Sequence, residues 1–227
     1  TNGANLVMNV TNGAIGTEVG PCEGGICTGI GADSRDLTKS VNVAVDGTVN
    51  ATSTKGSNAS LINIASLNKD MKVDQIKADG RVILLADNSN SPTQTSGGTK
   101  YSILNRTSNA ANPNVEGAGI SIIASGNIGE TGKALTFRQN GVSPIFNGDD
   151  ATQPHIVTDI NKPSYGIDML AIGNINVAGM DAADGTKLNT NVCAIISREG
   201  NINALFSGDT YIGETTADRK STRLNSS

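Results

Sequence analysis

"VDGTVNATSTKGSNASLINIASLNKDMKVDQIKADGRVILLAD", Val45 to Asp87, decides the fold. Ile62 and Ile64 flank Asn63, Met71 and Val73 flank Lys72, and Val82 to Leu85 is a run of four apolar residues. Alternation of this kind puts one face of a short strand into a core. Glycine and asparagine separate the segments, and both tolerate the positive φ of tight turns. The best segments begin roughly 7–12 residues apart, too close for helices between them. Residues 65–78 carry the only modest helical pattern, and Val73 to Ile76 reads equally well as strand.

The same style continues outward. Val41, Val43 and Val45 alternate, as do Ile120 with Ile122, Leu135 with Phe137, Ile167 with Met169, and Ile175 with Val177. Val192, Ala194 and Ile196 follow, then Ile202, Ala204 and Phe206. Short internal matches suggest a repeated unit. "DGTVNA" at Asp46 returns as "DGRVIL" at Asp79, an offset of 33, and "GNIN" at Gly173 returns at Gly200, an offset of 27. "AIGTE", "NIGET" and "YIGET", beginning at Ala14, Asn127 and Tyr211, share a third element. Each match is weak alone; together they point to a solenoid-like repeat. Two stretches break the rhythm: Asn88 to Gly119, rich in Ser, Thr, Asn and Gly, and Arg138 to Tyr165, which holds "NGDD" and Pro144, Pro154 and Pro163. Both read as excursions from a regular body, where variable surface is expected.

Composition selects among β architectures. Of 227 residues 37% are hydrophobic but only 3% aromatic, with no Trp, while Gly (27) and Asn (26) are abundant. A sandwich or jelly roll, the alternative architecture, normally uses aromatic rings to fill its interior. A parallel β-helix is a narrow prism in which equal-sized aliphatics stack in columns, Gly turns the corners and Asn forms amide ladders. The expectation is therefore an all-β parallel β-helix with Val43, Val82, Ile128 and Ile175 pointing inward.

The net charge of −4 excludes a generic basic nucleic-acid face. No apolar run approaches the ~20 residues of a transmembrane helix. Cys22, Cys27 and Cys193 with one His cannot make a four-ligand zinc site. "PCEGGIC" could close a small disulfide between Cys22 and Cys27 in an oxidising compartment, or hold two unpaired thiols.

"SGNIGETGKALTF", Ser125 to Phe137, invites comparison with a phosphate loop. That motif needs a first Gly, then Gly-Lys and a hydroxyl residue that ligates magnesium. Gly132-Lys133 fits, but Asn127 replaces the first Gly and Ala134 the hydroxyl, so the stretch reads as a turn between strands and no nucleotide is expected. Asp149, Asp150, His155 and Asp159 form the densest cluster of ionisable groups. An enzyme on a β-helix would need such groups on one face of the coil; a loop rich in Pro and Asp reads more simply as solvated excursion. Calcium-binding nonapeptides would show Gly-Gly-x-Gly-x-Asp, which does not occur. The sequons at Asn9, Asn50, Asn58 and Asn105 read as a by-product of composition. No catalytic residue, metal site or cofactor is assigned.

The chain begins at Thr without a leader pattern, which reads as a cut or processed end. "DRKSTRLNSS", Asp218 to Ser227, equals residue for residue the translation of a sequencing-library adapter. It is set aside as non-native and expected to make no contact with the core, leaving 1–217 as one body whose parent extends on both sides.

"NGAIGTE" from Asn12, the stretch Val45 to Asp87 and "SGNIGETGKALTF" resemble the repeat regions of filamentous-haemagglutinin-like bacterial adhesins, especially the leukotoxin-type filamentous adhesins. The resemblance is densest over 10–85 and 118–137 and weaker over 166–216. It implies a right-handed parallel β-helix shaft in a secreted or surface-exposed protein that contacts a host-cell surface or extracellular matrix through a receptor it does not identify. It carries over no catalytic residue, and the Cys22–Cys27 loop departs from the usual cysteine-poor shaft. The competing reading is a carbohydrate-active β-helix enzyme or a phage tailspike fragment.

Overall fold

The computed structural model describes residues 3–17, 39–55, 60–88, 98–140, 166–208, 210–212 and 222–226. Along the chain the strands are β1 (Leu6–Thr11), β2 (Ala14–Ile15), β3 (Val41–Val43), β4 (Thr48–Thr54), β5 (Leu61–Leu67) and β6 (Met71–Ala78). There follow β7 (Arg81–Asp87), β8 (Ile103–Asn105), β9 (Val115–Gly117), β10 (Gly119–Ala124), β11 (Leu135–Gln139) and β12 (Ile167–Ala171). The last are β13 (Ile175–Gly179), β14 (Thr190–Ser197), β15 (Ile202–Phe206), β16 (Thr210–Ile212) and β17 (Thr222–Ser226). No helix occurs among the described residues.

The protein is all-β, built of two parallel sheets. One runs β1-β4-β6-β9-β11-β13-β15-β17 with β8 beside β6; the other runs β16-β14-β12-β10-β7-β5-β2 with β3 beside β5. From β4 onward the chain mostly crosses from one sheet to the other at each turn, so successive crossings lay each strand parallel on an earlier one. Between the sheets lies one core, and its side chains stack in columns. Met71, Ile103, Ile128, Ile175 and Ile202 are successive register partners. Opposite them run Ile62, Val82, Ile120, Ile167 and Val192. Val43, Val82, Ile128 and Ile175 are all buried, the last three with no exposed surface. Among the described residues the ring pair of the core is Phe137 against Phe206, edge-on at 6.1 Å.

Asparagine and its stand-ins hold the corners, as the composition suggested. Asp70 Oδ1 accepts the N–H of Ser102 (2.7 Å), Ser102 Oγ that of Asn127 (2.9 Å), Asn127 Oδ1 that of Asn174 (2.7 Å) and Asn174 Oδ1 that of Asn201 (2.8 Å). Each side chain thereby satisfies a backbone donor in the next layer. Asn127→Ala removes one rung. Because the N–H of Asn174 lies at an exposed residue, where water can replace the lost acceptor, the expected loss in chemical denaturation is about 1 kcal/mol.

Several expectations need correction. The stretch Asn88 to Gly119 is not an excursion throughout: β8 and β9 lie in it, and Asn105 and Asn114 are buried. These two amides face inward for a reason. Asn114 Nδ2 donates to Val73 O, Asp74 O and Asn105 Oδ1, while Asn105 Nδ2 donates to Ala134 O. An amide can be buried when its donors and acceptors are met. The second excursion begins later than Arg138, since Arg138 and Gln139 belong to β11, and residues 141–165 lie outside the described residues.

The offset of 33 relates strands of different sheets, β4 and β7, and is no structural repeat. The offset of 27 is one: Ile175 pairs with Ile202. In β14 a register shift breaks the alternation proposed for Val192, Ala194 and Ile196. Val192 pairs with Ile167 but Ala194 with Asp168, so Ile195 packs on the main core and Ile196 on the opposite face. The terminal segment does contact the body, because β17 pairs with β15 from Ile202↔Thr222 to Phe206↔Ser226. Parallel pairing uses backbone groups, so an unpaired edge accepts an extended segment with little regard to its origin.

The face of the β5-β7-β10-β12-β14 sheet that points away from the core also carries an apolar row. Ala65, Leu85, Ile123 and Leu170 are register partners, at most 5% exposed, with Ile196 packed beside them. This explains the unbroken run Val82 to Leu85: alternate residues serve two cores, as in strands buried on both faces.

Candidate functional site

The phosphate-loop candidate folds as the turn it was read to be. Glu130 and Lys133 exchange N–H···O bonds of 3.1 and 3.0 Å across Thr131-Gly132, with Gly132 at φ 78°. The amide of Ile128 donates to Asn174 O and that of Gly129 to Ile103 O, so these donors are committed to the neighbouring layers. Lys133 is exposed, and Arg106 holds the Glu130 carboxyl below its ordinary range through a hydrogen bond of 2.5 Å. Cys22, Cys27, Asp149, Asp150, His155 and Asp159 lie outside the described residues. Cys193 sits in β14.

Among the described residues a concavity lies where β11, β13 and β15 end. Arg138 from β11, Gly179 at the end of β13, Asp181 and Lys187 from the turn that follows, and Phe206 and Ser207 line a pocket of ≈ 380 Å³. Alternation places Arg138 outward between the inward Phe137 and Gln139, and the burial pattern of β11 agrees. Its Nε donates to Asp181 O at 3.0 Å and its Nη1 to Glu116 Oε2 at 3.3 Å. Glu116 also pairs with Lys77 at 3.0 Å and accepts from Asn140 Nδ2 at 3.0 Å. Burial alone would raise the Glu116 carboxyl; the hydrogen bonds from Asn140 and Lys77, with the charges of Lys77 and Arg138, outweigh it and leave the group lowered. Lys187 pairs with Asp181 at 3.2 Å, while Asp181 Oδ1 is buried without a partner.

Chemically this is an ion-paired notch. Glu116 is held in its charged form by three partners, which suits a structural anchor and not a proton donor. Among the described residues no group of three His, Cys, Asp or Glu side chains converges as a metal site would require, and no helix is long and apolar enough to cross a membrane. Sequence reasoning missed this notch because Glu116, Arg138 and the turn that holds Asp181 and Lys187 come from separate stretches. Only the alternation of "LTFRQ" signalled that Arg138 faces outward.

A second polar feature is buried on the far face of the other sheet. Asp168 is 5% exposed and Ser121, its register partner, 1%; Asp168 Oδ1 and Ser121 Oγ both lack a hydrogen-bond partner. Burial drives the Asp168 carboxyl up to about 6, against the opposing pull of Arg81.

No family model, no curated protein and no solved structure matches the chain.

Proposed function

We propose that the chain is a shaft segment of a large secreted or surface-exposed bacterial adhesin, folded as a right-handed parallel β-helix. One observation carries the reading: every pairing between the named strands is parallel while the chain shuttles between two sheets, stacking aliphatic columns and an amide ladder. In such a body each layer rests on its neighbours, and the result is a stiff spacer. Its role is mechanical and steric, holding binding sections of a longer protein away from the cell and toward a host-cell surface or matrix. The ion-paired notch fits that role, since its charges are used against one another.

Small-angle scattering on the purified chain should give an elongated particle of constant cross-section, and incubation with polysaccharides should release no reducing ends. A near-spherical particle overturns the shaft; cleavage of a polysaccharide overturns it in favour of a β-helical enzyme or tailspike. Antibodies raised against the chain should label unpermeabilised bacteria that carry the gene. Labelling only after permeabilisation overturns the surface assignment.

A further inference from the structure

We propose that the side chains of Lys77 and Asn140 join in an amide bond that the chain forms by itself, with Glu116 as the catalytic group. Three neighbouring strands bring these residues together. Lys77 of β6 is the register partner of Glu116 in β9, and Arg138 of β11 is the partner of Glu116 on its other side. Asn140 follows two residues after Arg138, and strand alternation returns it to the same face. Its N–H donates to Gly117 O at 2.9 Å, which fixes it beside the end of β9.

The atom at the centre of the cluster separates it from an ordinary ion pair. Lys77 Nζ and Asn140 Nδ2 both contact the same oxygen, Glu116 Oε1, each at 3.0 Å. A primary amine and a primary carboxamide are thus held no farther apart than the two contacts that meet there. Arg138 Nη1 takes the other oxygen, Oε2, at 3.3 Å and leaves Oε1 to the two nitrogens. Glu116 is 6% exposed, so little water competes at the meeting point. An amine free in water hardly attacks a carboxamide; fixed proximity is what lowers that barrier.

The step balances without a co-reactant. The Glu116 carboxylate takes a proton from the Lys77 ammonium, and the freed amine attacks Cγ of Asn140. A new C–N bond forms to Nζ. The bond from Cγ to Nδ2 then breaks, and Nδ2 carries off one proton from the attacking nitrogen and the one held by Glu116, leaving as ammonium. Glu116 ends ionised, as it began. Its partners favour the charged form, so it gives up the borrowed proton readily. The product ties β6 to β11 across β9.

Mass spectrometry of the full chain, incubated at neutral pH until its mass stops changing, tests this. The wild type should be lighter than its sequence by one ammonia. Trypsin should release a branched peptide joining Val73–Arg81 to the segment that begins at Gln139, because an acylated Lys77 is no longer cut. Lys77→Arg keeps a cation opposite Glu116 but offers no amine, and should carry the full mass with unchanged circular dichroism. Glu116→Gln should slow the appearance of the branched peptide by roughly 100-fold. Asn140 precedes Gly141, a pair that also loses ammonia by closing a succinimide, but that product stays linear and persists in Lys77→Arg. A wild type of full mass overturns the proposal, as does ammonia loss without the branched peptide or loss that survives Lys77→Arg. Bond formation at the wild-type rate in Glu116→Gln overturns the part given to Glu116.

Discussion

Val82→Asp should lower the stability of the protein by several kcal/mol, the cost of a buried carboxylate without a partner. Val82 has no exposed surface, and its register partners on either side, Ile62 and Ile120, have none. Across the core the columns offer Val, Ile, Leu and Met, so nothing can donate a hydrogen bond to the new group. It must either take a proton, with its pKa far above the ordinary range, or draw water into the core. The damage should reach the layers on both sides, because β5 and β10 each pack one surface on β7. Thr131→Asp, at an exposed turn position, makes the same chemical change outside the core and should shift the denaturation midpoint little. Equal midpoints for the two variants would mean that Val82 does not face a core, and the register of β5, β7 and β10 would have to be redrawn.

Ile175 could be placed from the sequence because two signals agree at it. Alternation gives the face, and a repeated corner such as "GNIN" gives the layer. Several readings that rested on one signal failed for a physical reason. "DGTVNA" and "DGRVIL" share turn chemistry, but a turn does not say which sheet it feeds; that depends on how much chain lies between crossings. Asn105 and Asn114 looked like solvent-facing residues, since polarity signals exposure only when nothing inside the fold can satisfy it. Their partners, Val73 O and Ala134 O, lie well away in sequence and were invisible. The register shift at β14 is a local extra residue, which alternation cannot anticipate. The notch at Arg138 is assembled from three distant stretches, Glu116, Arg138 and the turn with Asp181 and Lys187. The pairing of β17 depends on an available edge, a property of the rest of the fold and not of the segment's own residues.

Asp168→Asn should stabilise the protein at neutral pH, by as much as about 3 kcal/mol if the whole difference between 3.8 and about 6 acts on folding. The sign follows from linkage. With the folded-state value raised above the unfolded one, the folded protein binds more protons between the two values, so stability falls as pH rises through that window. Below 3.8 Asp168 is neutral in both states and costs nothing extra; above about 6 the folded state carries a desolvated charge and the loss is complete. Asparagine has nearly the same shape and no charge, so the variant should match the wild type in acid and exceed it at neutral pH. Because Glu116 and Glu130, whose values are lowered, pull stability in the opposite direction, the wild-type profile alone is not diagnostic. The difference between the two profiles is, since those groups are common to both proteins. Ser121→Ala, which removes the orphaned hydroxyl facing Asp168, should not reproduce the pH dependence even if it shifts stability, because no ionisation is lost. Urea denaturation of the three proteins from acid to neutral pH decides it. Parallel wild-type and Asp168→Asn profiles would show that water reaches the carboxylate, and the apolar face around Leu85, Ile123 and Leu170 would then be open at that point.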